Sequence, residues 1–277
     1  MTFADACLED QVRILLNKPS GDLTAGELAT LTYLQRGGSS ISSLSGLEYC
    51  VNLTDVSLVS NEIVDLTPLS GLTQLTFLTL SDNNIFDLSP LAQMTWLEVL
   101  HLSDNQIGDV SPLAGLSSLI TLDLSRQAGG LPDISPLGNL TALTELSLSS
   151  NSIDDISPLS SLTELWRLDL YWNDVPDVSP LQGLPKLQSV WLDENPIDDF
   201  GPLAANSGIG EDDYIVLTCC PGLLDCDTTG AGSTQCGYKD QMEARGANVV
   251  YGSRETCGTP APVLGLNRGP CVLYGTE

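Results

Sequence analysis

A 22-residue repeat is the feature of this sequence that most restricts its fold. One unit, from Leu75 to Trp96, reads LTFLTLSDNNIFDLSPLAQMTW. Its pattern, L-x-x-L-x-L-x-x-N-x-I-x-D-[ILV]-[ST]-P-L, recurs in copies that begin at Leu53, Leu75, Leu97, Leu119, Leu143, Leu165 and Leu187, and a weaker copy begins at Leu31. No single copy is long enough to bury its own apolar face, so the eight units are expected to stack on one another.

Each unit predicts a short strand followed by a tight turn. The L-x-x-L-x-L segment ends with a period of two, which is typical of a strand with its leucines pointing inward. The following Ser/Thr-Pro-Leu predicts a helical start, with the hydroxyl as N-cap and proline at the first helical position. Because a unit has no room for a long helix, we expect a short 3₁₀ or α turn. The predicted fold is an α/β solenoid, a right-handed superhelix with parallel concave strands and short 3₁₀ turns on its convex side.

Two polar columns run through the repeats. The first contains Asn61, Asn83, Asn105, Asn151, Asn173 and Asn195, with Gln127 in the one unit that is 24 residues long. We expect these amides to turn inward and satisfy backbone groups. The second contains Asp65, Asp87, Asp109, Asp133, Asp155, Asp177 and Asp199. We interpret them as local acceptors of backbone N–H groups; a Ca²⁺ ladder is the less favoured alternative, because Ca²⁺-binding repeats use glycine-rich turns with several aspartates each.

The composition excludes several classes of function. The 277 residues include 36 acidic and 10 basic side chains, for a net charge of -26, which disfavours nucleic acid and anionic membranes as partners. No apolar run approaches the roughly 18 residues of a membrane span, so membrane insertion is not expected. With one histidine and no nucleophile–base pair, phosphate loop or metal-ligand cluster, the sequence predicts neither an enzyme nor a cofactor site.

The cysteines are concentrated near the C-terminus: six of the eight are Cys219, Cys220, Cys226, Cys236, Cys257 and Cys271. Such concentration is typical of an oxidising compartment, and without a C-x-x-C or a nearby histidine it favours disulfides over zinc. The remaining two, Cys7 and Cys50, are predicted to form a bridge, or Cys50 is a buried free thiol. Since MTFADACLED lacks the features of a signal peptide, we expect Met1 to begin a mature segment.

These residues give the sequence a resemblance to bacterial internalin-type leucine-rich repeat proteins, over roughly residues 3–253. FADACLEDQVRILL resembles their helical N-terminal cap, and Thr24-Ala25-Gly26-Glu27 is a capping box that would start a second cap helix. Asp213 to Leu217 resembles a final strand, and Met242 to Val249 a closing helix, glycine and strand. The expected organisation is a helical N-terminal cap (1–30), eight repeats (31–208), a disulfide-rich C-terminal cap (209–257) and an irregular tail (258–277).

The resemblance implies an extracellular or cell-surface recognition module, acting as a monomer, that binds a protein on its concave face. Strand positions three, five and seven face that side, and position eight lies on its rim. The candidate binding residues are Arg167, Asp169, Tyr171, Trp172, Trp191 and Asp193, together with Phe77 and His101. Aromatic rings beside arginine are typical of interface hot spots, and the acidic residues favour a basic partner.

Three alternatives to this interpretation remain open. Trp172 and Trp191 would simply pack on the rim or beneath the C-terminal cap if they are ordinary exposed aromatics. The same rings would serve as stacking platforms in a glycan-binding module. An intracellular regulatory scaffold would need reduced cysteines.

Overall fold

One parallel sheet forms the concave side of the molecule. A computed structural model describes residues 1–217 and 234–250, and within these ranges ten strands pair in chain order. The strands are β1 (Tyr33–Gln35), β2 (Asp55–Ser57), β3 (Phe77–Thr79), β4 (Val99–His101), β5 (Thr121–Asp123), β6 (Glu145–Ser147), β7 (Arg167–Asp169), β8 (Ser189–Trp191), β9 (Tyr214–Val216) and β10 (Asn248–Val250). Equivalent residues of successive units lie side by side, as the repeat predicts.

Short helical turns return the chain to the next strand. In the first seven units they are 3₁₀ turns, at Leu47–Tyr49, Thr67–Leu69, Ser89–Leu91, Ser111–Gly115, Ser135–Asn139, Ser157–Ser161 and Ser179–Leu181. A short α-helix, Gly201–Ala205, takes this place in the eighth unit. The predicted solenoid of parallel strands and short 3₁₀ turns is therefore confirmed.

The start of these turns differs from the prediction that a hydroxyl is the N-cap. In the third unit Ser89 is already the first residue of the turn, and Leu88 takes the cap position without a side-chain hydrogen bond. The Ser89 N–H instead donates to Asp87 Oδ1 at 2.8 Å. The prediction was wrong because an aspartate two residues earlier reaches this N–H, whereas a hydroxyl inside the turn cannot accept it.

The asparagine column joins neighbouring units through buried hydrogen bonds. The Asn105 side-chain amide donates to the carbonyls of Leu80 at 3.0 Å, Leu102 at 3.0 Å and Ser103 at 3.2 Å. Its oxygen accepts the Ile85 N–H at 2.9 Å. Two of these partners belong to the preceding unit, so each such side chain fixes one unit against the next while satisfying backbone groups that the core excludes from water.

Two helices close the N-terminal end of the solenoid. The first, α1 (Ala6–Leu15), is capped by the Asp5 carboxylate, and the second, α2 (Ala25–Leu28), begins with the predicted capping box. Phe3 lies against Gly46, which has a φ of 107°, so closely that a Cβ there would come within 2.5 Å of the ring. Glycine is therefore required where the cap meets the first unit.

The C-terminal end is closed by elements that the sequence also predicts. β9 extends the sheet, and the helix Thr234–Ala244 leads through Gly246 into β10, which pairs with β9. The Met242 side chain is fully buried. Apolar packing and strand pairing thus both attach this segment to the repeats.

The cysteines differ from one part of the prediction. Cys7 is disulfide-bonded, but Cys50 is a free thiol buried in the core, so the predicted Cys7–Cys50 bridge is wrong and the alternative for Cys50 is correct. Cys50 follows the first 3₁₀ turn and packs as a small apolar side chain. Of the C-terminal cysteines, Cys219, Cys220, Cys226, Cys257 and Cys271 lie outside the described residues, as does the side chain of Cys236.

Candidate functional site

An arginine and a tryptophan are in contact at the C-terminal end of the concave face. Arg167 opens β7, and its guanidinium carbon lies 4.9 Å from the centre of the Trp191 ring on β8. This distance is typical of a cation–π interaction. Sequence reasoning placed both side chains on this face. The register sets Asp169 directly beside Trp191, so Arg167 reaches the ring from the diagonal position.

Two further ring contacts lie at this end of the face, and we call their rings, together with Arg167, the aromatic group. Tyr171 and Trp172 meet edge to face with centroids 6.0 Å apart, and Trp191 and Tyr214 are tilted at 54° with the same separation. Tyr214, on β9, is 38% exposed and was missed as a binding candidate. The signal was available, because reading the outward positions of the predicted final strand would have included it. Trp191 is thus partly packed against the last strands, as one alternative proposed.

Phe77 and His101 form a separate pair. Their rings meet edge to face at 6.2 Å, on β3 and β4. Two strands lie between β4 and β7, so the pair is about 14 Å from β7, at a strand spacing of about 4.8 Å. The structure therefore divides the predicted binding residues into two clusters.

Two partly buried carboxylates lie beside the aromatic group. Asp169 Oδ1 accepts the Tyr171 N–H at 3.0 Å, and burial raises the pKa of Asp169. Burial raises the pKa of Asp193 to about 6, with repulsion from Asp169 and Glu194 adding to the shift. The Oδ1 atom of Asp193 is buried and has no hydrogen-bond partner. The folded protein therefore disfavours the ionised form of both carboxylates.

The rim beside this face has an unusual backbone. Position eight has a φ between 55° and 57° at Asp82, Asp104, Arg126, Trp172 and Glu194. Non-glycine residues adopt this left-handed conformation at some cost, and here it turns the chain so that the next residue enters the core.

Arg126 donates to both carboxylate oxygens of Asp104, at 2.7 and 2.6 Å. Sequence reasoning placed both residues on the rim without pairing them.

The aspartate column is occupied by local hydrogen bonds. Each carboxylate accepts the backbone N–H two residues later, at 2.8–2.9 Å. These backbone bonds, followed by the serine hydroxyls, lower the pKa of Asp109, Asp133 and Asp155. Over the described ranges no three His, Cys, Asp or Glu side chains come together as metal ligands. The column therefore acts as a set of turn caps.

The helices give no membrane-spanning candidate. In the part of the chain that the structure describes, none is both long and apolar enough to cross a bilayer.

Known proteins share both the sequence pattern and the structure. Residues 95–139 match the family model described as Leucine Rich repeats (2 copies). The internalin InlF of Listeria monocytogenes is 34% identical, with a TM-score of 0.66 over 79% of this chain and 70% of that one. Internalin C2 of the same species is 37% identical, with a TM-score of 0.70 over 74% and 91%. A leucine-rich repeat protein of Leptospira interrogans, 22% identical with a TM-score of 0.53 over 67% and 55%, shares the fold.

Proposed function

Since the chain belongs to the internalin-type leucine-rich repeat proteins, we propose that it is a non-catalytic recognition module that binds a protein partner on its concave face. The leucine-rich repeat is a fold typically used for protein–protein recognition, and its parallel strands form a rigid, curved surface. The fold alone does not select a partner, so the proposal depends on the site.

The observation that carries the proposal is the cluster of rings and charge on β7–β9. Arg167 lies over Trp191, and Trp191 contacts Tyr214. Rigid rings lose little conformational entropy on binding and cover a large area, and arginine and tryptophan are both enriched among hot-spot residues. We propose that Tyr171, Trp172, Asp169 and Asp193 complete this binding surface, with Phe77 and His101 as a second contact.

An extracellular or cell-surface location is part of the proposal. Internalin-like proteins are typically secreted or attached to the cell surface. The disulfide at Cys7 supports an oxidising compartment over the intracellular scaffold. We further propose that the protein acts as a monomer.

A glycan-binding role is weaker than protein recognition on this geometry. Sugars stack on open ring faces, and one face of Trp191 is covered by the Arg167 guanidinium. A glycan array would separate the two roles, since sugar binding without any protein partner would favour the glycan module.

The proposal is tested with a double variant, Tyr171→Ala/Trp191→Ala. Against a partner identified by affinity capture, we expect the variant to weaken binding by about 30-fold or more, which corresponds to about 2 kcal/mol. The melting temperature is measured in parallel, because Trp191 packs on Tyr214.

A matched control removes two tryptophans outside the concave surface. Trp96→Ala/Trp166→Ala deletes side chains that are 65% and 36% exposed. We expect this variant to change the affinity by less than about twofold. If it abolishes binding while the concave variant leaves it intact, the concave-face proposal is wrong.

A further inference from the structure

Carboxylates form a row across the concave face. Asp123 ends β5 and Asp169 ends β7 at the same register position, and Asp193 lies two residues after Trp191, the last residue of β8. Asp123 and Asp169 are two strands apart, or about 10 Å at the usual strand spacing. The row therefore leads from the middle of the sheet to the aromatic group.

Hydrogen-bond donors are unevenly distributed along the row. Asp123 Oδ1 accepts the Ser125 N–H at 2.9 Å and the Ser125 hydroxyl at 2.6 Å. Asp169 accepts the Tyr171 N–H and a hydrogen bond from the Ser147 side chain, while Asp193 Oδ1 is buried without a hydrogen-bond partner. Since a buried carboxylate needs several donors, Asp193 is only partly satisfied.

Nearby basic side chains offset the charge of the row only in part. Arg126 is held by both oxygens of Asp104, although its charge also acts on Asp123 and Asp169. Arg167 lies over the Trp191 ring, and its charge lowers the pKa of Asp169. Against these two cations, the acidic side chains on this part of the face and its rim are Asp104, Asp123, Glu145, Asp169, Asp193 and Glu194.

Burial makes this excess costly. It raises the pKa of both Asp169 and Asp193, and repulsion from Asp123 adds to the shift of Asp169. The raised pKa means that the folded protein disfavours the ionised form. A positive group that entered the row would relieve both the repulsion and the missing donors.

We propose that the partner presents a basic segment whose lysine or arginine side chains pair with Asp123 and Asp169, while its neighbouring residues cover Trp191 and Tyr214. This inference rests on the proposed function, because it names the partner chemistry of the same face. Charge complementarity argues for it: the sheet face is acidic next to partly exposed rings, and such a surface steers and orients a basic ligand.

The test uses a fluorescein-labelled hexalysine peptide as the probe and fluorescence anisotropy as the readout. The variant Asp123→Asn/Asp169→Asn removes two charges from the row while keeping the oxygens that accept the Ser125 and Tyr171 N–H groups. The control, Asp154→Asn/Asp198→Asn, removes two charges from exposed side chains outside the strands. Both variants thus change the net charge equally.

We expect the row variant to weaken peptide binding by about tenfold, which corresponds to about 1.4 kcal/mol, and the control by less than about twofold. Equal weakening by both variants would show a general effect of net charge and would overturn the inference. Failure of the peptide to bind the unmodified protein would overturn it as well.

The two proposals fail in different ways. If the Tyr171→Ala/Trp191→Ala variant weakens binding of a captured partner but the row variant does not, the basic-segment inference is wrong and the concave-face proposal stands. If neither variant weakens binding of that partner, the concave-face proposal is wrong too. A hexaglutamate peptide serves as the negative probe, and it should not bind any of the proteins.

Discussion

The Gln127 side-chain oxygen accepts a 3.0 Å hydrogen bond from the Ile107 N–H, the bond that asparagine makes in the other units. Its amide nitrogen donates to the carbonyls of Leu102 and Leu124 at 3.0 and 3.2 Å. The two-residue insertion begins here, and the Ala128 N–H binds the carbonyl of Asn105. In a regular unit the equivalent N–H donates to the carbonyl two residues after the column asparagine of the preceding unit. The Asn84 N–H, for example, donates to the Ile63 carbonyl, two residues after Asn61.

Replacing Gln127 with asparagine should therefore destabilise the protein, although asparagine is the residue of the repeat pattern. The shorter side chain loses about one bond length of reach and leaves buried backbone groups unpaired, at a cost of about 1–3 kcal/mol. Urea denaturation measures the change in the free energy of unfolding. The reverse swap, Asn105→Gln, should also destabilise, because a regular unit has no room for the longer side chain. A stabilised Gln127→Asn protein would refute this account of the insertion.

Removing a side-chain amide from the asparagine column should lower the stability of the protein far more than removing an amide that lies outside the column. Asn105→Ala deletes four buried hydrogen bonds, and we expect a loss of roughly 1–3 kcal/mol in unfolding free energy. Asn84 is partly exposed and accepts only a 3.4 Å contact from Gln106, so Asn84→Ala should cost less than about 0.5 kcal/mol. Equal losses from the two variants would mean that the register described above is wrong.

The stability of the protein should depend on pH through Asp193. Its folded pKa is about 6, raised from 3.8, so ionisation above about pH 6 destabilises the fold and the penalty disappears as the pH falls towards 4. Asp193→Asn should raise the melting temperature at pH 7.5 by about 2–4 °C, or about 1 kcal/mol after allowing for solvent screening. Near pH 4 the variant and the parent should melt together.

The control for this pH dependence is Asp198→Asn, which neutralises an exposed aspartate of the same unit. Scanning calorimetry of both variants at the two pH values separates a local effect from one of net charge. A gain for Asp193→Asn that persists unchanged at pH 4 would contradict the role of ionisation.

Cys50 should be unreactive in the folded protein. Burial raises the pKa of its thiol to about 12, so the thiolate that attacks alkylating reagents is scarce at pH 8 as well as inaccessible. Iodoacetamide, without a reducing agent, should modify Cys50 only in concentrated guanidinium chloride, as read by peptide mass. Equal modification with and without denaturant would show that the thiol is exposed, and a Cys7–Cys50 cross-linked peptide would show that it is bridged.

The strands, the turns and the inward asparagines were predictable because each depends on a short local pattern. A leucine alternation sets a strand, and a proline after Ser or Thr sets a tight turn, whatever the rest of the chain does. Eight repetitions make the pattern unambiguous, and stacking then places equivalent residues side by side. The strand at Tyr214–Val216 and the closing helix and strand were expected from the resemblance to the caps of internalin-type proteins.

The sequence predicted which face the candidate binding residues lie on, but not which of their side chains touch one another. Sequence reasoning placed Arg167 and Trp191 on one face, yet their cation–π contact depends on the rotamers that two neighbouring strands allow. Tyr214 was missed because it follows the last complete unit and only the repeats were read for outward positions, although the predicted final strand would have included it. The Arg126–Asp104 pair joins residues 22 positions apart, and a surface pair of this kind is set by side-chain reach.

The sequence by itself determined the solenoid, since its strands, turns and asparagine column are local and repeated. Only the tertiary structure decided which side chains are desolvated. Asp169 and Asp193 have raised pKa values, whereas hydrogen bonds from the turn lower the pKa of Asp109, Asp133 and Asp155, although all are the same residue type. The physical reason is that the N–H donors of the turn column lie two residues along the same unit, whereas burial comes from neighbouring units and end elements, which a one-dimensional pattern does not specify.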